Sequence, residues 1–81
     1  MISLFEQVAL TRDLPEYDLR DGDVATLVDR VYHPQNGDTG CVLEIFNAVG
    51  DSIAVVVVPE SAVKPLRSDE VFSVRALARV G

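Results

Sequence analysis

The run Ile53-Ala54-Val55-Val56-Val57-Val58, closed by Pro59, constrains this chain more than any other feature. Branching at Cβ restricts χ1 and favours a pleated strand over a helix. Proline cannot donate to a sheet ladder and so stops the strand. The run is apolar on both sides of the pleat, with Ile53, Val55 and Val57 pointing one way and Ala54, Val56 and Val58 the other. A strand with one solvated face carries polar residues there. This one does not, so its second face is expected to be covered. The cover is either the terminal segments of the same chain or another molecule, and the latter would make that face a binding surface.

Period-two patterns elsewhere extend the reading. Residues 5–11 form a first strand, with Phe5, Gln7, Ala9 and Thr11 on one side and Glu6, Val8 and Leu10 on the other. Residues 12–23 form a long loop with two apolar anchors, Leu14 and Leu19. It ends in a tight turn at Asp21-Gly22, where glycine supplies a positive φ. Residues 24–32 form a second strand in which Val24, Thr26 and Val28 alternate with Ala25, Leu27, Asp29 and Val31. A polar loop follows, punctuated by Pro34 and Asn36-Gly37.

Residues 41–47 form a third strand, and residues 48–51 a short hairpin connection with Gly50 in the left-handed position. Residues 52–58 are the fourth strand. Residues 59–66, between two prolines, read as a short helical or 3₁₀ turn. Residues 70–80 alternate again, with Phe72, Val74, Ala76, Ala78 and Val80 opposite Ser73, Arg75 and Arg79; we read a half-exposed last strand, with a helix as the rival.

Five short strands in 81 residues predict one all-β domain spanning residues 1–81. A flat sheet of this size leaves edges that invite aggregation, and closure into a small, partly open barrel removes them. A long first loop, a meander and a 3₁₀ turn before the last strand are the order of a five-stranded SH3-like barrel. The alternative, an oligonucleotide-binding type of barrel, usually carries a helix between its third and fourth strands, where this chain has only residues 48–51.

Composition narrows the function. The net charge of −6 argues against nucleic acid, which needs clustered Lys and Arg, and against anionic membranes. One cysteine makes no internal disulfide. No segment approaches a membrane span and no basic, apolar leader opens the chain, so the expected location is the cytoplasm.

No catalytic constellation is legible. His33, the single histidine, stands beside Pro34 in a polar loop as a solvated turn residue. Cys41 opens a strand, and a nucleophilic pair with His33 would have no third group to orient it. Asp18, Asp21 and Asp23 surround Gly22 without the spacing of a calcium loop, and aspartate is a turn former in its own right. Gly37-Asp38-Thr39-Gly40 lacks the lysine and following helix of a phosphate loop, and as an aspartic protease signature it lacks the second aspartate. No enzyme, metal or cofactor is expected.

The stretches Leu4-Phe5-Glu6-Gln7-Val8-Ala9-Leu10-Thr11, Asp13-Leu14-Pro15-Glu16 and Leu19-Arg20-Asp21-Gly22-Asp23-Val24-Ala25-Thr26-Leu27-Val28 resemble a bacterial family, domain of unknown function 4926. Gly40-Cys41-Val42-Leu43-Glu44-Ile45-Phe46-Asn47 and Ala54-Val55-Val56-Val57-Val58-Pro59 are similar to its two hairpin strands. Such chains commonly carry glycine after Gly-Asp-Val, where this one has Ala25. The resemblance implies an SH3-like barrel, no established activity, and a small protein that partners the product of an adjacent gene. Fold alone does not supply function.

The expectation is a non-enzymatic module that binds a protein partner or itself, through Phe46, Val56 and Val58 on the strands and Leu14, Pro15 and Tyr17 in the long loop. The alternative is an antitoxin or immunity-like protein, with Asp18, Asp21, Asp23 and Asp38 covering a basic site on its partner.

Overall fold

The computed structural model describes residues 2–32 and 39–77. Among them lie five strands: β1 (Gln7–Leu10), β2 (Val24–Tyr32), β3 (Thr39–Phe46), β4 (Ser52–Pro59) and β5 (Val63–Pro65). Two 3₁₀ turns also lie among these residues, Pro15–Tyr17 in the long loop and Glu60–Ala62 just before β5. The strands form one antiparallel sheet in the order β4-β3-β2-β1-β5. β4 and β5 are its two edges and do not pair with each other, so the structure is a small, partly open, all-β barrel.

The inner face is aliphatic. Val8, Leu10, Leu27, Leu43 and Val58 are the largest side chains wholly removed from solvent, and Leu14, Leu19, Ala25, Cys41, Ile45 and Val56 complete the core. Leu14 and Leu19 bridge to each other and fold the long loop over one end of the barrel, with the Leu14 amide donating to the Leu19 carbonyl at 2.8 Å. Both are the apolar anchors that the sequence predicts for this loop.

Two single-residue bulges set which side chains enter this core. In β2, Leu27 pairs with Leu43 but Asp29 pairs with Val42, so Val28 is the extra residue. Uninterrupted alternation would carry Asp29 and Val31 inward with Ala25 and Leu27. The bulge reverses the pleat: Asp29 and Val31 are exposed, and Arg30 is half-buried opposite Cys41. In the β3–β4 hairpin, Ile45 pairs with Ala54 but Phe46 with Ser52, so Ile53 is the extra residue. Val56 and Val58 are thereby placed opposite Leu43 and Cys41 on the inner face.

The first strand is shorter than the pattern predicts. The chain enters β1 through a turn in which Phe5 has a φ of 68° and lies exposed, while its amide donates to the Leu27 carbonyl at 2.5 Å. The last strand is a correction. Over residues 70–77 there is neither strand nor helix; the fifth strand is Val63–Pro65, within the segment expected to be only a turn. It takes the free side of β1, pairing Leu10 with Val63 and Val8 with Pro65. β1 has only two sides, and β2 holds the other. The predicted end of that strand, residues 78–80, lies outside the described residues.

Gly22 and Gly50 both adopt the positive φ expected of them, 91° and 93°. A Cβ at either would meet nothing within 4 Å, so the backbone angle alone carries the cost of substitution. Gly50→Ala is therefore expected to lower stability by about 1 kcal/mol. Urea unfolding checks this, with an unchanged m-value showing that only the turn has been strained.

Candidate functional site

The two edges of the sheet are unlike. β5 is three residues long, ends in Pro65 and carries Lys64, features that discourage another strand from pairing. β4 is eight residues long and has no charged side chain, and Val55 and Val57 stand exposed on its outer face (61% and 47%). The Val57 carbonyl accepts the Tyr17 hydroxyl at 3.3 Å, so it faces away from β3. Val57 and Val42 then form a non-hydrogen-bonded pair, as do Val55 and Glu44 two residues on, and the backbone N–H and C=O groups of both valines point out from the sheet. On the same outer face lie Val42 and Phe46, across the hairpin from Val57 and Ser52. Cross-strand neighbours on one face touch, so these side chains make a short apolar stripe, interrupted by Glu44 opposite Val55. It lies beside an edge that no strand among the described residues pairs with and that the Tyr17 hydroxyl meets at one carbonyl.

The structure divides the six residues expected to contact a partner. Phe46 is exposed on this stripe and Pro15 is exposed in the loop. Tyr17 is half-buried, packs on the core and ties the loop to β4. Val56, Val58 and Leu14 are corrections: they are 7%, 1% and 6% exposed and belong to the core, so none reaches a partner in this fold. The residues missed are Val55 and Val57. No signal in the sequence finds them: Glu44 marks the outer face of β3, but only a bulge in the hairpin, which a run of valines does not announce, puts Val55 opposite it.

The polar residues of the long loop are engaged internally. Asp13 accepts the Asp21 amide at 2.9 Å, and Asp23 accepts the Arg20 amide at 2.8 Å. Arg75, from the segment after β5, lays its guanidinium along Asp23. Its Nε donates to Oδ1 at 3.0 Å and its Nη2 to Oδ2, while Nη2 also donates to the Asp18 carbonyl at 2.8 Å. Asp18 adopts a left-handed φ of 55° that ends the first 3₁₀ turn. Only 24% and 23% of the Arg75 and Asp23 side chains remain exposed. Burial alone would raise the Asp23 carboxyl, but the Arg75 and Arg20 hydrogen bonds and the charges of both arginines outweigh it, leaving the group below its ordinary value. Asp38 and His33 lie outside the described residues.

Behind the sheet, a cavity of about 430 Å³ is lined by Ile2, Glu6, Leu27, Arg30, Cys41, Glu60, Val63 and Pro65. Arg30 Nη2 donates to the Ile2 carbonyl, and its Nε is buried with no partner. Burial pushes the Cys41 thiol above its ordinary range, the Glu60 charge adds to this, and Arg30 opposes it. A buried thiol held in its protonated form is a poor nucleophile. Among the described residues, no three His, Cys, Asp or Glu side chains gather where they could hold a metal ion, and no helix is long and apolar enough to cross a membrane.

Fold and site together define a small all-β domain whose described strands end in one blunted edge and one longer, uncharged edge. The chain belongs to the family described as Domain of unknown function (DUF4926), whose model matches residues 4–65, from the turn before β1 to the last residue of β5. No curated protein and no solved structure matches it.

Two measurements follow from this geometry. Val58→Ala, which empties a core position, should cost about 2 kcal/mol, whereas Val57→Lys on the outer face should change stability by less than about 0.5 kcal/mol. Thermal or urea unfolding of the two variants, if it ranked them the other way, would show the hairpin without its bulge. The second measurement concerns pH. The folded Asp23 carboxyl lies below its unfolded value of 3.8, so its contribution to stability is present above that pH and is lost as pH falls through the lower folded value. Wild type and Arg75→Ala should therefore differ in melting temperature at neutral pH and converge below pH 3.8.

Proposed function

We propose that this chain is a non-enzymatic, cytoplasmic interaction module of the SH3-like type, and that it takes a strand of a protein partner onto its β4 edge. The observation that carries the reading is the contrast between the edges. Natural sheets blunt an edge with brevity, charge or proline, and β5 combines all three, while β4, though it too ends in a proline, keeps eight uncharged residues and exposed valines. Addition of a strand to such an edge draws affinity from main-chain hydrogen bonds and specificity from alternate side chains. Val55, Val57 and Phe46 would supply the apolar contacts, with Pro15 and Tyr17 flanking them from the loop.

The strand order and the 3₁₀ turn before β5 support the SH3-like assignment. A single, buried cysteine fits a reducing compartment. Charge favours a different protein over a second copy, since two chains of net charge −6 repel one another.

The test is to compare the wild-type chain with the Val55→Lys, Val57→Lys double variant. Both are expected to be folded monomers, and a protein retained by the first from a host extract should be lost from the second. Equal retention by both, or no retention by either, would overturn the reading.

A further inference from the structure

The segment that follows β5 lies beyond the part of the chain that the family model matches, yet it is anchored back onto that part. After Pro65 the chain turns through Arg67 and Glu70. The Glu70 amide donates to the Arg67 carbonyl at 3.1 Å, and the Arg67 amide donates to Glu70 Oε1 at 2.6 Å. Beyond this turn Val71, Phe72 and Val74 are exposed, at 92%, 68% and 94%. The segment makes no ladder with the sheet. Besides the Lys64–Glu70 ion pair at 3.4 Å near its start, what fixes it is Arg75 on Asp23 and the Asp18 carbonyl, with Leu77 packed against the core.

The receiving side is built independently of Arg75. Asp23 is held by the Arg20 amide, and the Asp18 carbonyl is presented by a backbone turned into the left-handed region. Carboxylate and carbonyl together satisfy a guanidinium fork that a lysine ammonium, a point charge, would match poorly. A guanidinium here and an aliphatic side chain two residues later are what an extended peptide offers along one face. The acidic balance of the domain, thirteen Asp and Glu against seven Lys and Arg, favours such a cationic ligand.

We propose that the seat formed by Asp18, Asp23 and the adjoining core surface is a peptide-binding site for an extended arginine-x-aliphatic segment of a protein partner, and that the chain's own Arg75-Ala76-Leu77 occupies it in cis. The tail acts as a tethered competitor. A partner segment gains the site only by displacing it, and the tail's occupancy lowers the partner's apparent affinity. This rests on the interaction-module reading only for the class of ligand; the seat is distinct from the β4 edge, and neither substitution that tests that edge touches it.

The experiment uses the full chain and a fluorescent synthetic peptide with the sequence of residues 71–77. In the Arg75→Ala, Leu77→Ala chain, with its fold confirmed by circular dichroism, the peptide should bind at least about tenfold more tightly than to wild type. Adding Asp23→Asn to the protein, or replacing the arginine of the peptide by alanine, should abolish that binding. Binding no tighter than to wild type, or indifferent to Asp23 and to the peptide's arginine, would sink the proposal.

A second measurement needs no variant. In the isotope-labelled wild-type chain, excess unlabelled peptide should shift the Arg75 Nε–H resonance to its free position, and a resonance that does not move would overturn cis competition. So would a wild-type dimer that dissociates on Arg75→Ala, because the tails would then be exchanged between copies.

Discussion

Two extra residues, Val28 in β2 and Ile53 in β4, decide what this domain hides and what it presents. The side-chain period of a strand is two, so one inserted residue exchanges the faces of everything beyond it. In β2 the exchange turns Asp29 out to solvent and brings Arg30 in opposite Cys41, with Nη2 on the Ile2 carbonyl and Nε buried without a partner. An unbulged strand would bury a carboxylate at that point, a cost of several kcal/mol without a partner. In β4 the exchange is between valines and has no electrostatic cost either way. It settles which pair, Val56 and Val58 or Val55 and Val57, completes the core.

That difference explains what the sequence disclosed and what it did not. Where a residue type is decisive, the reading holds. Gly22 and Gly50 lie at positive φ, Leu14 and Leu19 pin the loop, Pro59 closes β4, and a 3₁₀ turn precedes the last strand. Where the chemistry is the same on both faces, it fails. Unbroken alternation back from the Asn47–Asp51 turn puts Val56 and Val58 outside, and nothing in a run of four valines signals the bulge that puts them inside. Two of the six candidate contacts were misplaced for this reason. Leu14 was misplaced for another: the same side chain cannot both anchor a loop to the core and stand free on its surface.

The C-terminal segment shows a second way for periodicity to mislead. Phe72, Val74 and Ala76 alternate with Ser73 and Arg75, but alternation stabilises a strand only if a ladder is available and one face has something to cover. Three residues of β5, unremarkable in sequence, take the open side of β1 first, directly after the Glu60–Ala62 turn delivers them there. Short connections win such competitions because closing a longer loop costs more entropy. Deprived of a ladder, the later segment is held by Arg75 instead, with most of its apolar side chains in solvent.

The arrangement of the edges is then consistent with the placement of charge. Carboxylates cluster in the loop between β1 and β2, where Asp13 and Asp23 satisfy backbone amides and Asp23 also binds Arg75. They are absent from β4, where a carboxylate on the outer face would deter a pairing strand without helping the core. A chain selected only for solubility would gain from a lysine or glutamate in place of Val55 or Val57, at little cost in stability, since neither side chain is buried. Valine at both positions leaves the one long edge of the sheet without the charge that would deter a pairing strand.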